Sequence, residues 1–105
     1  MEPYKLYVVV DAALSSGLKI PQAIHAAFTF WNQYPEIAQL WYTDSNNIVV
    51  LEDENLGSLV LDVLDQEDNP LAVSFFHEPD LGNKLTSICV EPRGWKKLSN
   101  LRLAS

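Results

Sequence analysis

Short apolar runs alternate along this chain with segments whose apolar residues recur at helical spacing. Tyr4–Val10 is β-branched and aromatic almost without interruption, the mark of a central strand covered on both faces. It ends at Asp11, and a small, loop-like stretch runs to Gly17 and Lys19. Pro21 suits the first turn of a helix, where its missing N–H costs nothing. Ile20, Ile24, Ala27, Phe28 and Trp31 then recur at helical spacing and predict the buried stripe of a helix running to Tyr34. Gln22, His25, Thr29 and Asn32 fall on its opposite, polar face. Pro35 breaks that helix, and Pro35–Trp41 reads as a short second one. Asp44-Ser45-Asn46-Asn47 is turn chemistry leading into a strand at Ile48–Leu51. Leu56, Leu59, Val60, Val63 and Leu64 step by 3, 1, 3 and 1, a strong amphipathic helix signal. Asp68-Asn69-Pro70 ends that segment. Leu71–Phe76 reads as a third strand, Glu78–Lys84 as a loop, and Leu85–Val90 as a fourth strand closed by Pro92.

The order β-α-β-α-β-β predicts one α/β domain of three layers. Its sheet is mixed and four-stranded, with helices on its faces. The domain spans 1–92. A basic tail, 93–105, packs on it or extends from it. Loops after the first three strands share the carboxyl edge of such a sheet, where binding sites concentrate. That edge is expected to gather Asp11–Lys19, Glu52-Asp53-Glu54 and Glu78–Lys84.

Composition narrows the classes. At 105 residues the chain has the size of one domain, and 48% apolar residues exclude a disordered tail. Seven Lys and Arg against fourteen Asp and Glu give a net charge of −7. That excludes a surface that binds nucleic acid or anionic membrane all over. Lys19, Lys84 and the tail are the only places where a phosphate backbone could be held. The single cysteine, Cys89, can make neither an internal disulfide nor a cysteine-based zinc site, and its apolar neighbours predict a buried, inert thiol. No apolar run reaches the roughly 20 residues of a membrane span, and no charged-then-apolar leader is recognisable. A cytoplasmic protein is expected.

Asp11-Ala-Ala-Leu14-Ser-Ser-Gly17-Leu-Lys-Ile-Pro-Gln22-Ala-Ile-His25-Ala26-Ala27 resembles the signature of type II peptidyl-tRNA hydrolases, the archaeal and eukaryotic kind. That signature follows the first strand and reads roughly D-L-x-M-x-x-G-K-x-x-x-Q-x-x-H-A-A. Asp11, Gly17, Gln22, His25, Ala26 and Ala27 match without a gap, and Leu14 stands for Met. Glu78-Pro-Asp80-Leu-Gly82-Asn-Lys-Leu-Thr86 is similar to the family's later loop, where an acidic residue, a glycine and threonines precede the last strand. The resemblance covers about 4–92. It implies hydrolysis of the ester joining a peptide to the terminal ribose of tRNA, with no metal or organic cofactor. By resemblance the catalytic set is Lys19, His25, Glu78, Asp80 and Thr86; the substrate-binding set is Gln22 of the motif with Lys84, Arg93, Trp95 and Lys96, the local cations and aromatic ring that suit phosphate and base. This chemistry needs an activated water, a group that stabilises the carbonyl oxygen, and positive charge for RNA.

The chain departs from the family where it matters most. Leu18 stands where the family has a lysine after the glycine, Ser16 occupies the other lysine position, and Lys19 is one residue away. Most of these residues also have a plainer reading. His25 is a general base or a solvated histidine, and Glu78 and Asp80 are catalytic carboxylates or turn residues. Thr86 is a hydroxyl donor or an ordinary strand residue. Asp11 positions Lys19 or caps a turn. Glu52-Asp53-Glu54 holds a cation or forms an acidic first helical turn. Trp31 reads as core, and Trp41 and Tyr42 as the edge of a groove. Trp95 either stacks a base among Arg93, Lys96 and Lys97 or pins the tail. Two functions follow: a divergent peptidyl-tRNA hydrolase, or a binding or regulatory module of the same fold without the chemistry. A hydrolase of another small ester is a third. The partners expected are peptidyl-tRNA held by a local basic patch and a second copy of the chain, with no membrane.

Overall fold

The computed structural model describes residues 4–65 and 69–105; Asp68, expected in the turn before the third strand, lies outside them. The elements are β1 (Lys5–Asp11), α1 (Ser16–Gln33), α2 (Pro35–Asp44), β2 (Asn47–Asp53) and α3 (Leu56–Leu64). They continue with β3 (Val73–Glu78), β4 (Lys84–Val90), α4 (Trp95–Leu98) and β5 (Arg102–Leu103). Among the described residues the sheet has five strands, in the order β3-β4-β1-β2-β5. β1 and β2 pair in parallel, and the other neighbours are antiparallel. The mixed α/β sheet is as expected, but four strands become five. The extra one, β5, is two residues long and has no apolar run to announce it. It exists because β2 offers an open edge at Leu51 and Glu52.

Apolar residues of β1 alternate between two cores, because successive side chains of a strand point to opposite faces. Leu6, Val8 and Val10 pack beneath α1 and α2 with Ala23, Ala26, Phe30 and Trp41. Tyr7 and Val9 pack beneath α3 and α4 with Leu56, Leu59, Val63 and Leu98. β1 is thus the central strand covered on both sides that its composition announces. The residues after 92 join the second core through Leu98. They turn there at Gly94, where a Cβ would lie 2.5 Å from Val90 Cγ1.

α1 corrects the sequence reading twice. It begins at Ser16, five residues before Pro21, because the Ser15 carbonyl accepts from the N–H groups of Leu18 and Lys19. The loop after β1 is therefore only Ala12–Ser15, and Lys19 is helical. The buried stripe is also inverted. Lys19, Gln22, Ala23, Ala26 and Phe30 face the sheet, while Ile20, Ile24, Phe28 and Trp31 are exposed. Trp31 is not core. The two alanines let the helix approach β1, β3 and β4 closely, which a row of Ile and Phe would not.

β3 and β4 meet in a hairpin closed by a 3-10 turn at Pro79–Leu81. Gly82 and Asn83 have positive φ angles of 67° and 60°, the left-handed region that Gly and Asn enter most easily. The register slips between Phe76 and His77, so Thr86 has no counterpart on β3. Such a bulge re-aims the side chains beside it.

Candidate functional site

The carboxyl ends of β1, β2 and β3 and the start of β4 share one edge, as the strand directions require. Gln22 is the hub there, buried at 3% exposure. Its amide nitrogen donates to Glu78 Oε1 at 2.7 Å. Its amide oxygen accepts from the Thr86 hydroxyl at 2.6 Å, and its main-chain oxygen accepts from the Ser87 hydroxyl at 2.7 Å. Two consecutive strand residues both reach α1 here. Strict alternation forbids that, and the bulge at Thr86 permits it.

Glu78 is held as a carboxylate. The Gln22 amide, the Asp80 N–H and the nearby His25 outweigh partial desolvation and lower its acidity range. A base whose proton affinity is lowered in this way is a weaker proton acceptor. His25 is exposed and lies flat on Phe76, with ring centroids 4.5 Å apart and 13° between planes. Asp80 and His77 are exposed; the Asp80 main chain completes the cap that Glu78 makes on the 3-10 turn. Lys84 reaches Asp11 Oδ2 at 3.0 Å, while Asp11 Oδ1 accepts from the Ala13 N–H at 2.9 Å. Asp11 therefore caps its turn and partners Lys84, not Lys19.

Lys19 is committed elsewhere. Its ammonium is buried and donates to Glu52 Oε1 at 2.9 Å and to the Ser105 carbonyl at 3.1 Å. Arg102 holds the other Glu52 oxygen at 2.6 Å, and the Ser105 N–H donates to Oε1 at 3.1 Å. These donors, Lys19 first, push the Glu52 carboxyl down to about 2. Sequence reading missed this centre. Its one signal was an acidic residue closing an otherwise apolar strand run. Glu52 and Asp53 belong to β2, not to an acidic helical turn, and Asn55 caps α3 by accepting from the Ser58 N–H at 3.1 Å. Among the described residues no group of three or more His, Cys, Asp or Glu is arranged to hold a metal.

The expected substrate-binding set divides. Gln22 and Lys84 are on the carboxyl edge. Arg93, Trp95 and Lys96 follow the far end of β4, about 20 Å away at 3.3 Å per strand residue. Arg93 clamps Glu91 through both oxygens, at 2.7 and 2.9 Å, and donates to the Pro70 carbonyl. Trp95 packs against the second core, with the Lys96 ammonium 5.5 Å from its ring centroid. Among the described residues, Lys19, Lys84, Arg93, Lys97 and Arg102 make ion pairs with carboxylates of the same chain. Cys89 is fully buried, and burial pushes its thiol up, away from the reactive thiolate. No helix among the described residues is long and apolar enough to cross a membrane.

Fold and edge together define a small α/β domain with a mixed five-stranded sheet flanked by helices. No family model and no curated protein matches the sequence. A solved structure from Agrobacterium tumefaciens strain C58, a protein of unknown function, is similar in fold. It superposes with a TM-score of 0.66 at 16% identity, covering 100% of both chains. That likeness concerns the fold alone.

Proposed function

We propose that this chain is a binding module with the fold of a type II peptidyl-tRNA hydrolase and without its chemistry. The observation that carries this reading is the commitment of Lys19 to Glu52. Leu18 has taken the family's lysine position, and the neighbouring ammonium is locked into a buried structural pair, out of the Gln22–Glu78–Thr86 cluster. Two further facts support it. Thr86 is fully buried with its hydroxyl satisfied by Gln22, so it offers no free donor to a carbonyl oxygen. The cations that tRNA phosphates require are largely neutralised by the chain's own carboxylates.

One observation favours a second reading, a residual ester hydrolase. The Lys84 ammonium is half-exposed, lies beside Asp11, and shares its edge with Glu78, so it could take the part of the missing lysine. A single assay separates the two. Purified chain is incubated with peptidyl-tRNA, peptide release is followed, and tRNA is titrated at low and physiological salt. The binding-module reading expects no release above buffer and no tRNA complex at physiological salt. Catalytic release that disappears in Lys84→Ala overturns it in favour of the hydrolase.

A further inference from the structure

The inverted stripe of α1 leaves an apolar surface that no other described segment covers. Ile20 is 66% exposed and Phe28 72% exposed; Ile24, Trp31, Tyr42 and Ile48 are exposed around them. These residues rim two clefts of about 380 Å³ each, which share Ala23, Ile24 and Val50 as a common wall. The clefts exist because α1 lies over β1, β3 and β4, so among the described residues the β2 side of that face has the end of α2 and the Ala104–Ser105 segment beside it. At roughly 150–250 Å² for a large side chain, half-exposed, six such residues present about 650 Å² of apolar surface. That is at the top of the roughly 300–600 Å² of the largest apolar patch on an ordinary monomer and approaches the ≈800 Å² that each partner contributes to a stable interface.

We infer that this face is the interface of a symmetric homodimer, its occupant a second copy of the same chain. The shape argues for self-pairing. Phe28 is 72% exposed and lines the cleft together with Trp31, Trp41, Tyr42 and Ile48. A two-fold axis through the patch seats each Phe28 in the partner's cleft, the reciprocal contact that an isologous interface demands. An apolar cavity of roughly 150 Å³ already takes up a benzene ring, so the cleft is large enough. The charge pattern sets how such a dimer responds to salt. No Lys or Arg lies between Lys19 and Lys84, so the patch is uncharged at its centre, with Glu36 and Asp44 exposed on the flanking α2. The dimer then joins apolar centres against the mutual repulsion of two chains of −7. Added salt screens that repulsion and tightens the dimer. A basic peptide partner behaves in the opposite way. This inference is independent of whether the carboxyl edge cleaves an ester.

The test is sedimentation equilibrium over a concentration series at low and physiological salt. The wild type is expected as a dimer whose dissociation constant falls as salt rises. Phe28→Glu is expected to weaken it at least about thirty-fold, the effect of losing a central hot spot, with unchanged circular dichroism. Phe28→Ser, without a new charge, is expected to act in the same direction. Leu61→Glu, on the exposed side of α3, should leave the dimer intact. A wild type monomeric at every concentration overturns the inference, as does a dimer unmoved by both Phe28 variants. A monomer that instead binds a basic amphipathic peptide, more weakly as salt rises, also overturns it and assigns the face to such a partner.

Discussion

α1 and α3 lie on opposite faces of one sheet and carry equally clear apolar periodicities, with opposite outcomes. In α3 the apolar stripe turns inward except at its last residue: Leu56, Leu59 and Val63 are in the core, Val60 is half-buried and Leu64 is exposed. In α1 the apolar stripe faces outward, and the buried stripe contains an ion-paired lysine, a hydrogen-bonded glutamine and two alanines. Periodicity identifies a helix in both cases. It identifies the inward face only when the opposite stripe has nothing that the tertiary structure can satisfy. α1 has two such stripes, because Lys19 meets Glu52 and Gln22 meets Thr86 and Glu78.

The largest effect that tests this contrast lies within α1. Phe30→Ala removes a fully buried ring and should cost about 3–5 kcal/mol in urea unfolding. Phe28→Ala, two residues away, should change monomer stability by less than about 0.5 kcal/mol. Equal costs would mean that the helix is not inverted. On the other face, Leu59→Ala should cost about 2–4 kcal/mol, while the exposed Leu61→Ala should stay within about 0.5 kcal/mol.

A smaller effect is expected at the polar hub. Gln22→Leu leaves the buried Thr86 hydroxyl unpartnered and should cost about 1–3 kcal/mol. Adding Thr86→Val should recover part of that loss, since removing both partners of a hydrogen bond is far cheaper than removing one. If the double variant is as unstable as the sum of the singles, Thr86 and Gln22 are not coupled.

The subtlest test needs no substitution and is silent at neutral pH. The Glu52 carboxyl sits at about 2 in the folded chain, against an ordinary 4.5. A lowered folded value means that the unfolded chain binds the proton first. The stabilisation is therefore complete above 4.5 and is lost as the pH falls towards 2. The melting temperature of the wild type should drop through this window. A profile that stays flat there would show that Lys19 and Arg102 do not hold Glu52 as described.

Much of the fold was legible in the chain. Tyr4–Val10 announced a two-sided central strand because residues of both parities are apolar. The 3, 1, 3, 1 spacing located α3, and the loop read at Glu78–Lys84 is where the β3–β4 hairpin turns. The edge that collects Asp11, Glu78 and Lys84 followed from strand order alone. The pairings on that edge were not legible. Asp11 finds Lys84 and Gln22 finds Thr86 across more than sixty residues of sequence, and the Thr86 contact depends on a bulge that no local pattern encodes. The cationic tail looked like one cluster. Folding puts Arg93 and Lys96 beyond one end of the sheet and brings Arg102 back to Glu52 near the other.

Local composition thus settled which segments become strands and helices, because backbone preference and apolar spacing act within a few residues. Tertiary structure alone decided which face of α1 turns inward, which carboxylate each lysine meets, and that β5 forms at all. Each of those outcomes depends on satisfying a buried polar group or an open strand edge with a partner distant in sequence. Lys19 shows the difference most sharply: its position in the chain suggested chemistry, and its buried contact with Glu52 makes it part of the scaffold.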